Sequence, residues 1–129
     1  MPITALYAGL LTPIFLVLAV RVILVRRNQQ IGVGDGGNPV LLRRMRVHAN
    51  FAEYVPLAVL LLGLAESLGT PRAVLHGIGI ALLLARLSHA YGMSQPNETL
   101  LFRVFGVVTT FLVLVVAAGA CLCGAIVRP

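Results

Sequence analysis

The pattern of apolar and polar positions divides the chain into four long apolar runs separated by short polar segments. The runs predict helices over about residues 3–25, 41–67, 72–91 and 99–127. Each run is long enough to cross the hydrocarbon core of a membrane, which takes roughly 20 helical residues. Because the connecting segments are short, consecutive helices should run antiparallel. The predicted fold is therefore an all-α, up-down bundle of four transmembrane helices.

The composition supports a membrane protein and argues against an ordinary soluble one. Of the 129 residues, 59% are hydrophobic and only 11% are charged, and the mean hydropathy is +0.98. Soluble domains average about 45–50% apolar and about 25% charged residues. Four spans use up the chain, so residues 1–129 are predicted to form a single domain with little interior of its own. A sizeable site would then be shared between subunits of an oligomer.

The charges are few and one-sided. The chain has ten arginines and no lysine against four carboxylates, for a net charge of +6. This surplus does not indicate nucleic-acid binding, because no arginine cluster lies on a soluble module that carries aromatic residues. The positive-inside rule instead places the arginine-rich segment 26–45 in the cytoplasm and both termini on the opposite side. No group of His, Cys and carboxylate residues has the spacing of a metal site, so no metal is expected.

Ionisable residues inside membrane spans are costly and therefore mark functional candidates. In the predicted topology they all fall in the cytoplasmic half of the bundle, which favours a polar pocket open to the cytoplasm over a pathway through the membrane. For His89 and Arg103 the alternatives are a histidine that reaches interfacial water and an ordinary arginine at a helix end. The candidates are Arg21, Glu53, Arg86 and His89 inside the spans, with Arg46 and Arg103 just at the helix ends.

One narrow stripe on helix 2 combines a cation, an amide and a carboxylate. Arg46, Asn50 and Glu53 are spaced by four and three residues, so they fall within about 60° of one another around the helix, with Tyr54 beside them. Such a stripe can hold a zwitterionic ligand through charge-assisted hydrogen bonds. An internal pairing of Arg46 with Glu53 is the alternative.

The same residues carry a resemblance to a known family. The segment Arg46-x-x-x-Asn50-x-x-Glu53-Tyr54-x-Pro56 resembles the helix-2 signature of the membrane-associated proteins in eicosanoid and glutathione metabolism, the MAPEG family. Arg86-x-x-His89-x-Tyr91-Gly92 resembles its helix-3 signature, and Arg103-x-x-Gly106-x-x-x-Thr110 resembles the start of its helix 4. The resemblance covers the whole chain in order.

This resemblance implies a homotrimer in which glutathione, as co-substrate, binds between neighbouring subunits near the cytoplasmic face. Arg46, Asn50 and Glu53 would hold glutathione, with Glu53 at its amino group. Arg103 would lie near the thiol and act as the catalytic residue. The other positions expected to line the site are Tyr54, Arg86, His89, Tyr91 and either Arg26 or Arg27 at the end of helix 1.

The resemblance also narrows the substrate class. Leukotriene-forming members carry two tyrosines one turn apart on helix 3, whereas this chain has His89 and Tyr91, which disfavours eicosanoid synthesis. The small loops are more similar to those of bacterial members. Glutathione itself complements the charges of the sequence, because its two carboxylates and its ammonium match several arginines and one glutamate. The sulfur of free glutathione is mostly protonated at neutral pH, and a nearby arginine favours its thiolate form.

The predicted function is an integral-membrane, glutathione-dependent transferase or peroxidase of the bacterial inner membrane. Its second substrate would be a lipophilic electrophile or hydroperoxide that arrives from the surrounding lipid. A non-catalytic membrane protein that binds glutathione or anionic lipid headgroups is an alternative, and a small transporter subunit is another. A transporter is expected to have charges at the midplane and an internal repeat, and the sequence has neither.

Overall fold

The computed structural model describes residues 1–95, 97 and 99–127, and within these ranges the chain forms four α-helices. All four helices are long and apolar enough to cross a membrane. This confirms the predicted all-α class with four membrane-spanning helices. In chain order they are α1 (Pro2–Gln29), α2 (Pro39–Ser67), α3 (Arg72–Ser94) and α4 (Leu100–Val127).

Two helices, α1 and α3, extend beyond their predicted C-terminal ends. The first continues beyond residue 25 through Arg26 and Arg27, because arginine is a good helix former and polarity alone does not end a helix. It ends where Gln30 adopts a left-handed conformation with φ 54°. The N–H groups of Gln30 and Ile31 then donate to the carbonyls of Arg27 and Arg26, a common way of closing a helix. The third helix passes the predicted end at residue 91 because Gly92 is buried against α4.

The arginine-rich loop leads into a well-capped second helix. The side-chain oxygen of Asn38 accepts hydrogen bonds from the N–H groups of Val40 and Leu41, at 2.9 and 3.1 Å. Pro39 occupies the first helical position, where the missing N–H has no cost. At the other end of α2 a short turn through Gly69, with φ 79°, reverses the chain into α3. The predicted antiparallel arrangement of helices 2 and 3 is confirmed.

The centre of the bundle is the pair α2 and α3. Helix α1 packs on one side of this pair and α4 on the other, and α1 and α4 do not touch each other in the described part of the chain. One residue per turn of α4 faces inward, namely Gly106, Thr110, Val113 and Ala117. The outward faces of α1 and α4 carry exposed leucine, valine and phenylalanine side chains. An apolar exterior of this kind suits a helix that faces lipid.

At the end of the bundle remote from the arginine-rich loop, Glu66 of α2 caps the start of α1. Its carboxylate oxygens accept hydrogen bonds from the N–H of Ile3 at 3.0 Å, the N–H of Thr4 at 2.8 Å and the hydroxyl of Thr4 at 2.6 Å. First-turn N–H groups have no partner within their own helix, and the helix dipole favours an anion at this position. Glu66 therefore has a structural role, which leaves Glu53 as the acidic candidate in the other half of α2.

Candidate functional site

The centre of the candidate site is the buried guanidinium of Arg86 on α3, which is only 2% exposed. Its Nη1 donates to the side-chain oxygen of Asn50 on α2 at 2.7 Å, and its Nη2 donates to the backbone carbonyl of Gly106 on α4 at 3.2 Å. Its Nε is buried without a hydrogen-bond partner among the described residues. Arg86 thus joins three helices and keeps one donor that a ligand or a water molecule can use.

Gly106 allows α4 to approach α3 closely at this level. A Cβ at this position would lie 2.6 Å from the Cβ of His89 and 2.7 Å from the carbonyl oxygen of Ala85. Such distances are shorter than real Cβ contacts, so a glycine is required for this approach. The carbonyl of Gly106 also accepts a hydrogen bond from the hydroxyl of Thr110 at 2.7 Å. It therefore serves as an acceptor for both Thr110 and Arg86.

His89 is the second buried polar side chain of the site, at 4% exposure. It packs one turn beyond Arg86 on α3 and against Gly106. It interacts electrostatically with both Arg86 and Arg103. The structure thus brings the predicted helix-3 pair to the α4 side of the bundle, close to the start of α4.

The remaining α2 and α4 candidates lie on the surface of the subunit around this buried cluster. Arg46, Glu53 and Arg103 are exposed. The internal pairing of Arg46 with Glu53 that the sequence also allowed does not form, since Glu53 makes no ion pair with any residue that the structure describes. Within the described part of the chain, Glu53 is therefore an exposed carboxylate on an apolar helix, where an uncompensated charge is costly.

Two tyrosines of the predicted set pack against aromatic residues of α4. Tyr54 is half-buried, contacts Phe111 with ring centroids 5.5 Å apart, and interacts electrostatically with Arg86. Tyr91 is 56% exposed and contacts Phe102 at 5.4 Å. Tyr54 therefore belongs to the Arg86 cluster, whereas Tyr91 lies at its outer edge.

The two candidates on α1 lie apart from the cluster within one subunit. The Nη1 of Arg26 donates to the carbonyl of Gly34 at 2.8 Å, and its Nη2 contacts the sulfur of Met45 at 3.4 Å, so this side chain holds the loop between α1 and α2. Arg27 is exposed in the last turn of α1. Because α1 does not touch α4 in the described residues, either arginine could reach a site on the α4 side only in a neighbouring subunit.

Sequence reasoning missed two features of this region. The first is the Gly106 carbonyl, although the four-residue spacing of Gly106 and Thr110 indicates a threonine that bonds back to the preceding turn. The second is His48 on α2, whose Nε2 is buried without a hydrogen-bond partner in the described structure and whose ring lies 4.9 Å from that of Phe15. No pattern in the sequence singles out His48.

Comparison with known proteins identifies the family. The MAPEG family model matches residues 4–123, from the first turn of α1 to the last turns of α4. Inner membrane protein YecN of Escherichia coli strain K12 is 36% identical over 90 residues, which is 70% of this chain and 69% of the relative, and the protein of the same name from Escherichia coli O6:H1 matches equally. The chain belongs to the MAPEG family.

Family membership and the four spans confirm two of the predictions from sequence. The resemblance in the helix-2, helix-3 and helix-4 signatures identified the family correctly. The chain is a multi-pass protein of the bacterial inner membrane, in agreement with the inner-membrane relative and the four apolar helices.

Proposed function

We propose that this protein is a glutathione-dependent transferase or peroxidase that acts on lipophilic electrophiles or hydroperoxides within the membrane. The observation that carries the proposal is the buried guanidinium of Arg86, which donates to Asn50 and Gly106 and has no carboxylate partner in the described part of the subunit. A buried cation in a membrane helix is costly unless an anion compensates it. A ligand that brings carboxylates supplies the compensation.

Glutathione matches the distribution of charge around this cluster. Its two carboxylates can be bound by arginines. Its single ammonium can be bound by Glu53, which is the one described carboxylate in the half of α2 that contains Asn50. The exposed positions of Arg46 and Glu53 leave both side chains available to a ligand at the subunit surface. The family name refers to glutathione metabolism, so glutathione is the first candidate ligand among small zwitterions.

The chemistry of such a site is activation of the glutathione thiol. A cationic guanidinium beside the sulfur lowers the free energy of the thiolate relative to the thiol, and the thiol proton leaves to solvent. In a transferase reaction the thiolate attacks an electrophilic carbon, a carbon–sulfur bond forms and the leaving group departs with its electron pair. In a peroxidase reaction the thiolate attacks the distal hydroperoxide oxygen and the O–O bond breaks. The sulfur becomes a sulfenic acid, and the alkoxide takes up a proton from solvent and leaves as an alcohol. A second glutathione then displaces water from the sulfenic acid to give the disulfide.

The position of Arg103 supports a role for this residue in the proposed chemistry. It lies in the first turn of α4, is exposed, and interacts electrostatically with the buried His89. Its side chain can therefore approach a ligand that is anchored on α2 and the Arg86 cluster. Arg103 is proposed as the group that stabilises the thiolate, and Arg46, Asn50 and Glu53 are proposed to hold the rest of glutathione.

The site is proposed to be completed in a homotrimer. Glu53 and Arg46 are exposed on an apolar span, and lipid cannot solvate such charges. Neighbouring subunits can shield them and bring an α1 arginine to the shared pocket. Native mass spectrometry in a mild detergent should detect trimers, and a protein that is monomeric at every concentration and in every mild detergent would contradict this assembly.

The transferase or peroxidase activity can be separated from simple binding by a turnover assay. Purified protein is supplied with glutathione and either an aryl halide or a lipid hydroperoxide, and glutathione consumption is followed beside a mock purification. Conjugate or disulfide formation that Arg103→Ala reduces supports the enzyme. Saturable glutathione binding without turnover of either substrate class would instead identify a non-catalytic binding protein.

A further inference from the structure

A second arginine cluster lies on the side of the bundle opposite the Arg86 cluster. Arg21 of α1 and Arg43 and Arg44 of α2 line a cavity of about 390 Å³ between α1, α2 and α3. Helix α4 contributes nothing to its lining, whereas the proposed glutathione site is built on α2, α3 and α4. Neither Arg21 nor Arg44 has a role in the function proposed above.

The guanidinium groups of Arg21 and Arg44 retain most of their hydrogen-bonding capacity. The Nη1 of Arg21 donates to the hydroxyl of Ser94 at 2.7 Å, and the Nη1 of Arg44 donates to the backbone carbonyl of Arg21 at 3.1 Å. Each guanidinium has five N–H donors. Among the described residues, no carboxylate pairs with either side chain or lines the cavity.

The depth of Arg21 makes an anionic partner necessary. This residue lies about 12 Å before the end of α1 along the helix axis, at 1.5 Å per residue. It is half-buried in the membrane-spanning part of the helix. A cation at this depth that bonds only to neutral groups remains costly, and an anion held beside it lowers that cost.

We infer that this cavity binds the phosphodiester headgroup of an anionic membrane lipid. The planar guanidiniums of Arg21 and Arg44 suit phosphate oxygens, which they can contact in pairs. The apolar side chains of Leu18, Val47 and Met93 line the same cavity and can receive the glycerol and the first acyl carbons. A headgroup that carries an ammonium is disfavoured, because no carboxylate among the described lining residues can pair with it. The positive-inside rule places this end of the bundle in the anionic cytoplasmic leaflet.

The inference is tested by native mass spectrometry of the purified protein with added lipid. The probes are phosphatidylglycerol, phosphatidylethanolamine of the same acyl chains, and inorganic phosphate. The variants are Arg21→Gln, Arg44→Gln and the double variant. Arg27→Gln is the matched control, because it removes one exposed positive charge from the same end of α1 outside the cavity. Circular dichroism and the melting temperature check that each variant keeps its helices.

The wild type should bind phosphatidylglycerol about tenfold or more tightly than phosphatidylethanolamine, and the double variant should lose this preference, since each lost charge-assisted contact is worth about a factor of ten. Arg27→Gln should stay within about twofold of the wild type. If the double variant does not fold, Arg44→Gln alone, which loses a single bond to a backbone carbonyl, should still lower phosphatidylglycerol binding.

Equal phosphatidylglycerol binding by wild type and variants would overturn the inference. Displacement of the lipid by an equal concentration of inorganic phosphate would also overturn it and would assign the cavity to a free anion. The test involves no glutathione, so its outcome is independent of the function proposed above.

Discussion

The guanidinium of Arg86 donates to the side-chain oxygen of Asn50 at 2.7 Å and thereby fixes the orientation of the amide. Because its oxygen faces the guanidinium, Asn50 directs the two N–H donors of its amide nitrogen away from Arg86. The neighbouring Nε of Arg86 is a further buried donor without a partner in the described structure. This pair therefore offers donors and positive charge, which suits a ligand rich in carboxylate oxygens.

Replacement of Asn50 should separate the structural role of this contact from its role in binding. Asn50→Ala removes the acceptor of a buried cation and should lower the free energy of unfolding by about 1.5–3 kcal/mol. Asn50→Asp keeps an acceptor and adds a negative charge, so it should retain the stability of the wild type but weaken glutathione binding. Thermal unfolding in detergent and calorimetric titration measure the two quantities. Unchanged affinity in a stably folded Asn50→Asp variant would show that the ligand does not use Arg86.

The two glutamates of α2 should respond differently to the same substitution. Glu53→Gln should weaken glutathione binding about tenfold, because the contact with the ligand ammonium loses its charge. Its melting temperature should not fall, since Glu53 has no hydrogen-bond or ion-pair partner among the residues that the structure describes. Glu66→Gln should lower the melting temperature because Glu66 accepts hydrogen bonds from Ile3 and Thr4, and it should leave the affinity unchanged. A reversed result for the pair would contradict the assignment of Glu53 to the ligand.

Arg103 is expected to affect turnover more than binding. Arg103→Ala should lower the rate of glutathione conjugation and the amount of bound thiolate, because the thiolate loses its stabilising cation. The affinity for glutathione should change little, since the anchoring side chains lie on α2 and α3. Binding and turnover that fall by the same factor in Arg103→Ala and Glu53→Gln would show that the two roles are assigned incorrectly.

Gly106 and Gly119 provide a matched pair on one helix. In Gly106→Ala the new methyl group would collide with His89 and with the carbonyl of Ala85, and the Gly106 carbonyl would move away from Arg86. Overpacking of this kind typically destabilises by about 1–3 kcal/mol. A Cβ at Gly119 meets no atom within 4 Å, so Gly119→Ala should be neutral or slightly stabilising. Equal melting temperatures of the two variants would show that α3 and α4 are not in close contact at Gly106.

The number, order and direction of the helices were predictable, because long apolar runs with short polar connections permit few other arrangements. The helix ends were less predictable. Arg26 and Arg27 look like a loop by composition, yet they are helical, and the helix ends only where Gln30 adopts a left-handed conformation. Similarly, Gly92 looked like a helix end but is buried against α4. Such ends depend on local hydrogen bonding and on packing between helices, which apolar periodicity does not encode.

The candidate site was predictable to the level of helix faces. Periodicity placed Asn50 on the helix-2 stripe, and the positions of Arg86 and His89 on helix 3 indicated a polar face. The direct bond from Arg86 to Asn50, and the use of the Gly106 carbonyl as an acceptor, follow from the close approach of α4 to α3. That approach is a tertiary property. The spacing of Arg46 and Glu53 permits either an ion pair or a ligand site, so periodicity alone could not decide that the two side chains do not pair with each other.

The most direct test of the central claim is a titration of the purified wild-type protein with glutathione, followed by the ultraviolet absorbance of the thiolate. A saturable rise in thiolate absorbance is expected as glutathione approaches millimolar concentration. The rise should be much smaller in Arg103→Ala, and S-methylglutathione, which has no thiol, should compete for the site without producing it. Absence of saturable binding at millimolar glutathione would contradict the proposed glutathione site, and binding that leaves the thiol fully protonated would contradict thiolate activation.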